Sequence, residues 1–182
     1  ITPSVGTPTA ITISAGTEPT CQLTNGTTTT TYATTATDNT GFNWSVLPAG
    51  VGTINASTGL MTWTNGYSGT ATISVTANGC NGPSAAVTRT VIVTPSVGTP
   101  TAITISAGAE PSCQLTNGTT TTTYSTTATN STGFNWTLSN ALAGSINAST
   151  GVMTWADGFS GSVNIQVTAT GCNSPSAQVT RT

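Results

Sequence analysis

The side chains best suited to chemistry are four cysteines, Cys21, Cys80, Cys113 and Cys172, and six ionisable groups, Arg89, Arg181, Glu18, Asp38, Glu110 and Asp157. Histidine is absent, and both cations are arginine. A general acid/base pair, a Schiff base, a phosphate clamp or a histidine-ligated metal needs residue types that this chain lacks. The composition therefore argues against an enzyme, and no catalytic, cofactor-binding or metal-binding residue is expected. With a formal net charge of −2 and no basic patch, the chain also lacks the cations that hold nucleic acid or an anionic membrane surface. No run reaches the roughly 18 apolar residues of a membrane span, so direct insertion is not expected.

The cysteines are the informative set. An even number at fixed phase, with no C-x-x-C pair, reads as structural disulfides made in an oxidising compartment. Two pairings are open. Bonds within each copy, Cys21 with Cys80 and Cys113 with Cys172, would each close a loop of about 60 residues and contribute roughly 3 to 4 kcal/mol on the loop-entropy model. That pairing is placed first. In the other, Cys21 reaches Cys172 and staples neighbouring copies, leaving Cys80 and Cys113 for repeats elsewhere; it arises because Cys21 precedes the second expected strand and Cys80 follows the sixth.

The elements that must position these cysteines come in duplicate. TPSVGTPTAITISAG occupies residues 2–16 and 94–108, and CQLTNGTTTTTY occupies 21–32 and 113–124, a period of 92 without a gap. About 66 of the 90 aligned positions are identical. This predicts two domains, 1–92 and 93–182, cut from a longer tandem array. Thr contributes 46 of the 182 residues, and its χ1 stiffness favours strands over helices. Apolar–polar alternation bounded by Gly, Pro, Asn and Ser predicts strands in the first copy at 9–14, 27–37, 41–47, 52–55, 60–64, 70–77 and 85–93. The fold class expected is all-β: two tandem immunoglobulin-like (PKD-like) sandwiches of about seven strands each, set head to tail as a rod. In the sixth strand Ile73 and Val75 recur as Ile165 and Val167, while Thr72 and Ser74 become Asn164 and Gln166. Odd positions should face the core.

Trp44 and Trp63 recur as Trp136 and Trp155, and core packing is their expected role. A second reading gives Trp63, Tyr67, Trp155 and Phe159 a weak contact with a sugar ring. Tyr67 becoming Phe159 keeps a ring and discards a hydroxyl, which suits packing better than sugar recognition.

In sequence order, TCQLTNGTTTTTY, GFNWSV, GTINASTG and ISVTANGCNGPS resemble the PKD-like and Ig-like repeats of giant cell-surface gliding-motility adhesins of Bacteroidetes, of the SprB type, exported by type IX secretion. The resemblance implies a non-enzymatic stalk outside the cell, associated with the bacterial outer membrane. Its partners would be neighbouring repeats of the same chain and a substratum or surface polysaccharide. The other readings are a self-assembling extracellular filament or sheath subunit, and a carbohydrate-binding accessory module of a secreted protein.

Overall fold

The computed structural model describes residues 1–182 as two compact units, Ile1–Pro95 and Ser96–Thr182. Each unit is all-β. The first contains β1 (Thr12–Gly16), β2 (Thr29–Ala33), β3 (Asn39–Leu47), β4 (Gly52–Ile54), β5 (Leu60–Trp63), β6 (Gly69–Gly79) and β7 (Val87–Val93). The second contains β8 (Thr104–Gly108), β9 (Thr121–Ser125), β10 (Gly133–Leu138), β11 (Gly144–Ile146), β12 (Val152–Trp155), β13 (Ile165–Thr170) and β14 (Val179–Arg181). A single 3-10 turn, Ala141–Ala143, accounts for all the helix.

In the first unit a four-stranded sheet, β1-β2-β5-β4, faces a three-stranded sheet, β3-β6-β7. The second unit repeats this as β8-β9-β12-β11 and β10-β13-β14. The order matches that of a constant-type immunoglobulin domain, with strands A, B, E and D in one sheet and C, F and G in the other. All the strand pairs named are antiparallel.

The core lies between the sheets and follows the alternation in the sequence. Ala71, Ile73, Val75 and Ala77 of β6 are buried while Thr72, Ser74 and Thr76 are half-buried, as pleating requires. Trp44 of β3 packs with Tyr32 of β2, ring centroids 6.3 Å apart. Gly59 fixes the turn that brings β5 to β2. Asn55 Oδ1 accepts the Ser57 and Thr58 amides, and Gly59 then takes a φ of 70°. A Cβ there would lie 2.8 Å from the Tyr32 carbonyl oxygen and 3.0 Å from Trp44 Cε2.

The unit boundary falls after Pro95 rather than after Ile92. Val93 completes the β6–β7 ladder opposite Gly69, and Thr94 forms a parallel bridge with Cys21. Those two residues are therefore held by the first unit.

Candidate functional site

The loop from β1 to β2 carries Cys21 to one end of the sandwich. There Thr94 N–H donates to the Thr20 carbonyl at 2.9 Å and Gln22 N–H donates to the Thr94 carbonyl at 2.8 Å. Gln22 also donates through Nε2 to the Gly66 carbonyl, and Gly66 N–H donates to the Leu23 carbonyl at 2.9 Å, tying this loop to the turn after β5. Cys80 follows β6 and marks the opposite end. Val5 N–H donates to its carbonyl at 2.9 Å, and Asn81 Nδ2 donates to Ser4 Oγ.

This geometry corrects the pairing placed first by the sequence. Cys21 lies beside the Gly69 end of β6, whereas Cys80 lies beyond Gly79. A strand of that length spans roughly 30 Å, while bonded cysteines have Cα atoms within about 7 Å. Neither Cys21–Cys80 nor Cys113–Cys172 is formed: Cys80 and Cys113 are free thiols, and Cys21 and Cys172 are each disulfide-bonded. The loop is long enough to have carried Cys21 back along the sandwich, but its pairing with Thr94 keeps it at the far end.

Each bonded cysteine is fixed by backbone bonding within its own unit. Cys21 pairs with Thr94, and the Cys172 carbonyl accepts from Val97 N–H at 2.9 Å.

A second arrangement was not legible as a site. Glu18, Tyr32 and Arg89, from the loop, β2 and β7, converge in the first unit. Arg89 donates from Nε to Glu18 Oε1 at 2.7 Å and from Nη2 to Oε2 at 2.9 Å, and Tyr32 Oη donates to Oε1 at 2.9 Å. Glu110, Tyr124 and Arg181 repeat it, with 2.8, 3.1 and 2.9 Å. The Arg89 hydrogen bonds, with help from Tyr32, hold the Glu18 carboxyl below its ordinary range against the opposing effect of burial. Burial first and the carboxylate second raise the Tyr32 hydroxyl well above its ordinary range. A carboxylate saturated by donors and a tyrosine held neutral have no proton to exchange near neutrality, so the trio acts as a clamp tying the loop to both sheets. All three residues recur at the same phase, but recurrence alone did not mark their convergence, because Glu18 and Arg89 stand 71 residues apart in the chain.

The aromatic residues divide differently from the sugar-contact reading. Trp44, Trp63, Trp136 and Trp155 are all buried, and Trp63, at 1% exposure, offers no ring face to a sugar. Its Nε1–H donates to Thr30 Oγ1 at 2.9 Å, and Thr30 donates to the Thr17 carbonyl at 2.7 Å. Trp155 and Thr122 repeat the indole bond. Tyr67 and Phe159 pack against their cores, and Tyr67 Oη is already bonded to the Thr70 carbonyl. No group of three or more His, Cys, Asp or Glu is placed to hold a metal ion, and no helix is long and apolar enough to cross a membrane.

No protein-family model and no curated protein matches the chain. Solved structures with similar folds include protocadherin gamma B7 extracellular cadherin domains 1–4, 16% identical with a TM-score of 0.51 over 94% of this chain and 48% of that one. Sidekick-1 immunoglobulin domains 1–4 are similar at 14% identity and a TM-score of 0.50 over 97% of this chain and 48% of that one. The chain spans about half the length of these fragments. At such identities the likeness is one of fold: tandem immunoglobulin-like and cadherin-type sandwiches.

Proposed function

We propose that this chain is a non-enzymatic structural repeat array of an extracellular adhesin or filament, a stiff stalk whose consecutive units are stapled by a disulfide between Cys21 and Cys172. The observation that carries the proposal is the position of the bonded cysteines: each sits at an end of its own sandwich, beside residues 94 and 97. A disulfide there would restrain the units further than a junction in which Thr94 and Thr99, each followed by proline, already favour extended backbone. A tether under tension gains from such a restraint, whereas a catalyst or a sugar-binding pocket does not require it. Tandem sandwiches of the immunoglobulin and cadherin type are consistent with this role.

The sequence resemblance refines the proposal to the repeat region of a type IX-secreted gliding-motility adhesin, outside the cell and associated with the outer membrane. The residues 1–92 and 93–182 would then be two members of a longer array. Neighbouring repeats are the primary partners, with a substratum or surface polysaccharide contacted elsewhere.

Small-angle scattering of the oxidised chain and of Cys21→Ser tests the stalk. The proposal requires an elongated particle whose distance distribution broadens when the staple is removed. Unchanged curves for Cys21→Ser, or a compact particle, would count against it.

A further inference from the structure

An asparagine followed by glycine is a place where a chain can modify itself, because glycine carries no Cβ to crowd its own nitrogen or to restrict its backbone. The chain has five such steps, Asn25–Gly26, Asn65–Gly66, Asn78–Gly79, Asn81–Gly82 and Asn117–Gly118. Only the first recurs one period on as the same pair: Asn65 becomes Asp157, Asn78 becomes Thr170 and Gly82 becomes Ser174. The chemistry is ring closure, in which the glycine nitrogen swings out of its place in the backbone to reach the asparagine Cγ. Any hydrogen bond that fixes that nitrogen has to break first.

The fold holds three of the five. Gly66 N–H donates to the Leu23 carbonyl at 2.9 Å, and Gly82 N–H donates to the Gly79 carbonyl at 3.1 Å. Asn81 is tied down as well, its Nδ2 donating to Ser4 Oγ at 2.9 Å. Asn78 and Gly79 end β6, paired with Gly41 and Asn39 of β3. The other two are open. Asn25 and Gly26 lie at a bend in the loop between β1 and β2, both exposed, and neither the Asn25 carboxamide nor Gly26 N–H makes a hydrogen bond within the protein. Gly26 has a φ of 81°, and beyond its chain neighbours no atom stands within 4 Å of where its Cβ would be. Asn117 and Gly118 repeat the bend, again exposed and unbonded, with a φ of 96° at Gly118.

We propose that Asn25, and Asn117 one period on, are self-modification sites at which the folded chain converts asparagine to aspartate and isoaspartate with water as the only co-reactant. The Gly26 nitrogen attacks Asn25 Cγ, and the new C–N bond closes a cyclic imide. The Cγ–Nδ2 bond breaks, and the glycine amide proton passes through solvent to the departing ammonia. Water then opens the ring. Attack at Cγ gives aspartate, and attack at the Asn25 main-chain carbonyl carbon gives isoaspartate, in which the backbone runs through Cγ. One water is consumed, one ammonia leaves, and nothing is oxidised or reduced. Each event adds one negative charge to a chain whose net charge is −2, in the loop that also carries Cys21 in the first unit and Cys113 in the second. Repeats of this kind thus gain charge with age at one fixed position, without an enzyme and whatever the pairing of the cysteines.

The test is incubation of the 182-residue chain at mildly alkaline pH, both folded and in guanidinium chloride above its unfolding midpoint. Fragment mass spectrometry reads each asparagine, and enzymatic methylation labels isoaspartate. In the folded chain Asn25 and Asn117 should convert roughly tenfold or more faster than Asn65, Asn78 and Asn81, because the held steps react only through local opening. In guanidinium chloride the five rates should converge, since every step then presents the same residue pair in unstructured chain. Gly26→Ala crowds the attacking nitrogen and should slow Asn25 to the level of the held steps while Asn117 keeps its rate. Equal rates in the folded chain, a ranking that persists in guanidinium chloride, or product without isoaspartate would overturn the proposal. So would a Gly26→Ala chain that converts Asn25 as fast as the parent does.

Discussion

Thr30 gives the sharpest test of how the core is held. It is fully buried, and its hydroxyl both accepts from Trp63 Nε1–H at 2.9 Å and donates to the Thr17 carbonyl at 2.7 Å. Thr30→Val keeps the shape and removes both bonds. Thr17 is exposed, so water can replace its lost partner; the indole N–H, on a side chain 1% exposed, has no such recourse. Stranding a buried donor costs about 1 to 3 kcal/mol, and the added apolar surface returns up to about 1, so the net loss lies between about 0 and 3 and centres on about 1.5 kcal/mol. For a unit of this size that corresponds to a fall in Tm of roughly 5 to 15 °C. Thr30→Ser keeps the hydroxyl and loses one methyl, at about 0.8 kcal/mol. Urea unfolding at constant m-value should therefore rank the parent above Ser and Ser above Val. Thr122→Val and Thr122→Ser, in the same setting beneath Trp155, should repeat the ranking. If Val proves as stable as the parent, or more stable than Ser in both units, methyl packing outweighs the hydrogen bond and the reasoning fails.

Stability should be nearly flat between about pH 5 and 9 and decline outside that window. The depressed carboxyls of Glu18 and Glu110 contribute fully above their ordinary value near 4.5, and that contribution is lost as pH falls below it. The raised hydroxyls of Tyr32 and Tyr124 act at the other end: the unfolded chain ionises them above about 10 while the folded units do not, so stability falls as pH rises past 10. Thermal melts across pH 2 to 12 with disulfides intact check both limbs, and Glu18→Gln should flatten the acid one. Gly59→Ala should cost more than Gly66→Ala, because both have positive φ but only at Gly59 would the Cβ meet backbone and indole atoms. We expect about 1 kcal/mol for Gly66, from backbone conformation alone, and at least twice that for Gly59, measured by denaturant unfolding.

Much of the fold was legible because its determinants are local. Alternation along 70–77 placed Ile73 and Val75 inward, turn residues at 55–59 closed the β4–β5 hairpin, and the 92-residue period duplicated every element. Details at strand ends were less so: the strand expected at 9–14 is Thr12–Gly16, because residues before Thr12 leave the β2 ladder and hydrogen-bond as a loop to Thr35 and Thr37. The cysteine pairing and the Glu18–Tyr32–Arg89 clamp were not legible in the same way. Both depend on where the long loop between β1 and β2 travels, and that is decided by Thr94 from beyond the last strand and by Arg89 about 70 residues away. Trp63 faces the core although it lies near a turn, because proximity to a turn says little about which face a strand residue takes.

The measurement bearing most directly on the stapled array is mass-spectrometric mapping of disulfides in the oxidised chain, with free thiols alkylated before digestion by a protease that separates the four cysteines. The account predicts a Cys21–Cys172 crosslinked peptide pair, with alkylated Cys80 and Cys113 in the monomer. Crosslinks Cys21–Cys80 and Cys113–Cys172 would contradict it.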